Sequence, residues 1–107
     1  MTDIEESSGN VYADLGRGDA SEMLIKAQLA TKIGAIIKAR HLTQVEAARI
    51  LAMPQPKVSE MLRGKFRGIS ESKMIDCLSR LGHDVQIVVK TAPRSRGGEG
   101  RVEVVFA

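Results

Sequence analysis

The chain has 107 residues, 43% of them hydrophobic and 27% charged, with a net charge of +3, which suits one globular domain and not two. Aromatics are only 3% and Trp is absent, so Leu, Ile, Val, Met and Ala must fill the core, which favours helices. One cysteine, Cys77, with His41 and His83 excludes an internal disulfide and a structural metal set; the short apolar stretches and acidic N-terminus predict a cytoplasmic protein with no membrane segment.

Residues 1–18 form an acidic arm rich in Gly and Ser, without periodicity, expected to be flexible. Within it Val11, Tyr12 and Leu15 form either a docking segment or a sticky tail. A helix is predicted from Asp19, capped by that residue with Glu22 reaching back. It carries Ile25, Leu29, Ile33, Ile36 and Ile37 at helical spacing, a Glu22–Lys26 pair, and Arg40 and His41 at its end. Thr43 is a good cap for a second, short helix through Leu51, in which Ala47 and Ala48 permit close approach by a neighbour. Pro54 breaks the pattern and starts a third helix from Gln55 to about Arg63, with Val58, Met61 and Leu62 on its apolar face and Gly64 as its stop. Ser70 and Glu71 open a fourth helix with Met74, Ile75, Cys77, Leu78 and Leu81, closed by Gly82. The period then changes to two: Val85, Ile87 and Val89, then a loop over 92–100, then Val102, Val104 and Phe106. These runs predict a C-terminal β-strand or hairpin extension over 83–107, whose exposed edge favours dimerisation by strand pairing.

Charge is unevenly spread along these elements. Residues 1–22 sum to −5, whereas residues 38–67 sum to +5, with seven bases and two acids. The basic block is either a footprint for a polyanion or a solvated face. The layout favours the first reading: two short helices joined by a tight turn, the second opening on Gln and carrying bases, is the layout of a DNA-binding helix-turn-helix.

The run Leu42, Thr43, Gln44, Ala47, Ala48, Leu51, Gln55, Pro56, Lys57, Val58, Ser59, Met61, Leu62, Arg63 and Gly64 resembles the lambda-repressor-like Xre family of transcriptional regulators. The resemblance spans roughly residues 9–90, and Gly9–Gly16 with Leu81, Gly82, Asp84 and Val85 look like the branch that includes HigA-type antitoxins. It implies a mainly α, lambda-repressor-like domain of four to five helices at residues 19–82, a homodimer acting as a repressor on a palindromic double-stranded DNA operator, and a RelE/HigB-type toxin as a further partner. Two positions depart from the family pattern: Ala52 stands where the turn glycine is usual, and Pro54 where a Ser or Thr cap is usual.

Gln55, at the start of the recognition helix, is the first choice for a base contact, its amide matching N6 and N7 of adenine. Pro56 is placed to touch a thymine methyl, Lys57 to reach guanine or, preferably, a phosphate, and Ser59 projects from the same helix. Gln44 resembles the family's phosphate-contacting Gln, and Thr43 reads as a cap more than a contact. Arg63, Lys65 and Arg67 are expected beside the DNA backbone, while Glu60 is either an acceptor for cytosine N4 or a helix-surface residue. Val58, Met61, Leu62, Ala47, Ala48, Leu51 and Cys77 read as core. No catalytic constellation, cofactor motif or metal set is expected. The competing reading is a protein-interaction module whose acidic arm covers a basic partner, with DNA binding incidental.

Overall fold

The computed structural model describes residues 18–107. They contain four α-helices, α1 (Gly18–Ala39), α2 (Gln44–Leu51), α3 (Gln55–Leu62) and α4 (Glu71–Arg80), and a 3-10 turn at Arg94–Arg96. The expectations for Val11, Tyr12, Leu15 and the Asp19 cap fall outside the described residues or side chains; α1 itself begins one residue before Asp19.

The isoleucine-rich stripe of α1 makes it the spine of the domain. Ile25, Leu29, Ala30, Ile33, Ile36 and Ile37 are all buried, and α1 packs on both α3 and α4. Residues α2 and α3 supply Ala47, Leu51, Val58 and Met61 to the same cluster, each fully enclosed, and α4 adds Met74, Cys77 and Leu78. Burying one such aliphatic side chain contributes about 1.5–3 kcal/mol, so a core built largely of aliphatic side chains suffices for a bundle of this size.

All four helices stop through the same pair of backbone hydrogen bonds, in which the chain turns into the left-handed region and two amides return to carbonyls of the last turn. His41 and Leu42 donate to Lys38 and Ile37, Ala52 and Met53 to Arg49 and Ala48, Gly64 and Lys65 to Met61 and Glu60, and Gly82 and His83 to Ser79 and Leu78. The turning residue is glycine after α3 and α4, but it is His41 (φ 55°) after α1 and Ala52 (φ 55°) after α2. The chain therefore holds two L-residues where glycine is the unstrained choice.

Two buried or half-buried lysines tie the frame together. Lys26, only 3% exposed, pairs with Glu22 at 3.1 Å and donates to the Arg67 carbonyl at 3.0 Å, fastening the loop after α3 to α1. Lys73 donates to the Leu51 carbonyl at 3.0 Å, satisfying an otherwise open acceptor at the end of α2.

The C-terminal β extension is corrected by the structure: no strand occurs among the described residues. Among the described residues the backbone of residues 84–92 makes no hydrogen bond, and residues 82–91 are all exposed. The second alternating run instead returns to the helices, where Val104 packs against the core and the Phe106 ring lies 5.4 Å from Lys32 Nζ. A two-stranded hairpin on its own is marginal in water, and the second run gains more by covering α1 than by pairing with the first. The stretch over 92–100 contains the 3-10 turn, closed by Gly97 in the left-handed region.

Candidate nucleic-acid interface

The candidate interface is built on α2, the turn after it, α3 and the loop that follows. Thr43 opens α2 with a complete capping box: its Oγ1 accepts from the Glu46 amide at 3.1 Å, and its own amide donates to Glu46 Oε1 at 2.8 Å. The Thr43 amide, with its side chain, holds the Glu46 carboxyl below the usual carboxylate range. Thr43 is thus a cap in the structure, as its sequence position suggests, and Gln44 stands exposed beside it as the first residue of the helix.

Ala52, Met53 and Pro54 make the turn. Ala52 adopts φ 55° and ψ 46°, so the alanine does occupy the left-handed position that a turn glycine would fill. Met53 is buried, with its Sδ 3.6 Å from Cys77 Sγ, which pins the turn to α4. Burial pushes the Cys77 thiol up, consistent with a small hydrophobe and not a reactive thiolate. Pro54 gives α3 no side-chain cap, but its carbonyl accepts from the Lys57 and Val58 amides at 3.0 and 3.1 Å, and Pro56 fits the first turn where no amide is needed.

The recognition helix is sharply two-sided. Val58 and Met61 have 0% exposure, whereas Gln55, Pro56 and Lys57 are exposed and Ser59 and Glu60 are half-buried. Beyond it Arg63, Lys65 and Arg67 are exposed around Phe66, which is buried, so the basic loop is anchored at its centre. Lys57 joins this loop: its Nζ would lie 3.9 Å from a Cβ placed on Gly68. The structure thus gathers Lys57 with the basic loop, while Thr43 and Gln44 stand at the far end of α2 from the turn, about 12 Å of helix away.

Lys26 and Lys73 escape a sequence reading. Both look like ordinary surface cations, and only the neighbours brought in by folding, the carbonyls of Arg67 and Leu51, show them as supports of the loop and of α2. Among the described residues no group of His, Cys, Asp or Glu could hold a metal ion, and no helix is long and apolar enough to cross a membrane.

A capped helix, a tight turn and a second helix with a buried face and an open polar start define a helix-turn-helix protein of the DNA-binding class. A family model described as a helix-turn-helix domain matches residues 11–90, and the chain belongs to this family. A solved structure described as a candidate XRE-family transcriptional regulator is similar to it, with 39% identity and a TM-score of 0.77 over 83% of this chain and 99% of that one. The search of curated proteins found no match.

Proposed function

We propose that the chain is a sequence-specific transcriptional repressor that binds a palindromic DNA operator as a homodimer. The observation that carries this reading is the division of α3, in which Val58 and Met61 are wholly enclosed while Gln55, Pro56 and Lys57 are open to a partner. The buried face fixes the helix against the domain, so the open residues can enter a major groove without ordering cost. Gln55 reads adenine through N6 and N7, Pro56 meets a thymine methyl, and Ser59 assists from the next turn. Lys57, Gln44, Arg63, Lys65 and Arg67 contact phosphates and set register without reading sequence, while Thr43 caps the helix that presents Gln44.

The test is fluorescence anisotropy with the chain's own upstream DNA and a scrambled duplex, across salt, for the wild type and Gln55→Ala. The native site binds at least about a thousandfold more tightly, and the variant loses about 1–3 kcal/mol of that preference. Equal, strongly salt-dependent binding to both duplexes would leave only a basic surface and overturn the reading.

An antitoxin role is the second reading, favoured by the −5 charge of residues 1–22, which suits a basic protein partner. The partner is then a RelE/HigB-type ribonuclease encoded beside this chain. Removal of residues 1–18 should abolish inhibition of that ribonuclease in an RNA-cleavage assay while leaving operator binding in place; unchanged inhibition would refute it.

A further inference from the structure

The loop after α3 turns on four residues whose ends are fixed and whose middle is not. Phe66 and Ile69 are buried, and the Ile69 amide donates to the Phe66 carbonyl at 2.9 Å, which closes a β-turn. Arg67 and Gly68 are its two central residues, and both are exposed. The peptide between them distinguishes the two common turn types: rotating it by about 180° converts type I into type II and leaves the ends in place. Type II needs a positive φ at the second central position, which an L-residue resists and glycine does not. With Gly68 there, the turn's own sequence leaves both orientations open.

Lys26 removes that freedom. Its buried ammonium donates to the Arg67 carbonyl at 3.0 Å, so this carbonyl faces α1. In a trans peptide the N–H points opposite to the C=O, so the Gly68 amide faces outward. Gly68 accordingly lies outside the left-handed region, as a type I turn requires. Its amide donates to nothing among the described residues, and the Lys57 ammonium lies 3.9 Å from where a Gly68 Cβ would be. An outward amide and an ammonium beside the recognition helix are two donors for one anionic oxygen. In the flipped turn the Arg67 carbonyl, an acceptor, would stand there and repel the same oxygen. Burying an ammonium is a costly way to fasten a loop, since an apolar side chain would fill the space with less loss of hydration. An apolar side chain, however, cannot choose the orientation of a peptide.

We infer that Lys26 is a positioning residue for DNA binding: it locks the turn at residues 66–69 in the form that presents the Gly68 amide, beside Lys57, to a backbone phosphate. The inference rests on the DNA-binding reading of the preceding subsection and deepens it. Its consequence is that a buried residue of α1, which touches no DNA, sets how tightly the loop after the recognition helix holds the duplex.

Combining Glu22→Gln with Lys26→Met removes the grip on the turn and its ion pair without altering net charge. Anisotropy titrations use the chain's own upstream DNA and a scrambled duplex, at a temperature where circular dichroism shows the double variant folded. Affinity for both duplexes should fall about tenfold, the worth of one charge-assisted hydrogen bond, with the preference between them unchanged. Adding Gly68→Ala should restore most of the loss, because alanine disfavours the positive φ of the flipped turn and its Cβ meets only the mobile end of Lys57. A purely structural role for Lys26 gives no such rescue. In the wild type the Gly68 amide proton should move downfield in a proton–nitrogen correlation spectrum when duplex is added, a readout that stands even where the double variant fails to fold. Wild-type affinity in the folded double variant, a loss that Gly68→Ala does not restore, or a Gly68 amide indifferent to DNA overturns the inference. Equal wild-type binding to both duplexes refutes the repressor reading instead, while the effect of Lys26 is still read from their shared affinity.

Discussion

Replacing Ala52 by glycine should make the protein more stable. Ala52 closes α2 at φ 55° and ψ 46°, where its amide bonds back to the end of the helix. An L-residue in this conformation costs about 1–2 kcal/mol because its Cβ crowds the following carbonyl oxygen. Glycine removes that cost but loses about 0.5–1 kcal/mol through the greater freedom of the unfolded chain. Ala52 is exposed, so deleting its methyl forfeits no core packing, and the net gain is about 0.5–1 kcal/mol. For a domain of this size that raises Tm by roughly 2–8 °C, measurable by circular dichroism, and shifts the urea midpoint without changing the slope. Gly64→Ala is the matched opposite: Gly64 has φ 88° and open space where a Cβ would go, so the strain of about 1–2 kcal/mol is offset only by the reduced freedom of the unfolded chain, for a net cost of about 0.5–1 kcal/mol. A destabilising Ala52→Gly, or a stabilising Gly64→Ala, would show that the left-handed caps carry no such strain.

The acidic and basic groups around α1 and α4 give further expectations. Burial, reinforced by the charge of Glu22 and opposed by Lys26, raises the Glu71 carboxyl, whose Oε2 is enclosed without a hydrogen-bond partner among the described residues. A carboxyl raised in the folded state binds more protons there than in the unfolded chain, so its contribution to stability falls as pH rises above the ordinary glutamate range. Glu71→Gln should therefore stabilise the protein at neutral pH and flatten that part of the pH-stability curve; a loss of stability at pH 7 would contradict the burial argument. Lys26→Met should destabilise by about 1–3 kcal/mol in urea titration, because it removes the hydrogen bond to the Arg67 carbonyl and the ion pair with Glu22, whose charge then acts on Glu71 without this cation. Thr43→Ala should cost about 1 kcal/mol of stability through the lost cap. Glu46 titrates in the opposite sense to Glu71: with its carboxyl lowered, chiefly by the Thr43 amide, its support is present at neutral pH and lost on acidification below the ordinary range, a dependence that Thr43→Ala should weaken but not abolish, because the amide at position 43 remains.

The extended C-terminal run changes how the domain is understood. Residues 83–107 have strand periodicity, yet no strand occurs there among the described residues, because a β-strand is completed by hydrogen bonds to another strand and not by its own sequence. Helices differ in this respect. Their backbone bonds close within a few residues, so the boundaries of α2, α3 and α4 follow closely from Thr43, Pro54, Gly64, Ser70 and Gly82, all visible in the chain itself.

The same distinction runs through the candidate interface. Periodicity and end signals are local, so the sequence alone determined the four helices, the enclosed Val58, Met61 and Leu51, and the open start of α3 at Gln55. It also marked Ala52 as a departure at the turn. The tertiary structure decided what depends on neighbours distant in sequence. It decided that Ala52 keeps the left-handed turn despite its Cβ, that Lys26 and Lys73 each find a carbonyl at 3.0 Å, and that the two alternating runs part company. Those outcomes rest on long-range hydrogen bonds and packing, which no local pattern of residues encodes.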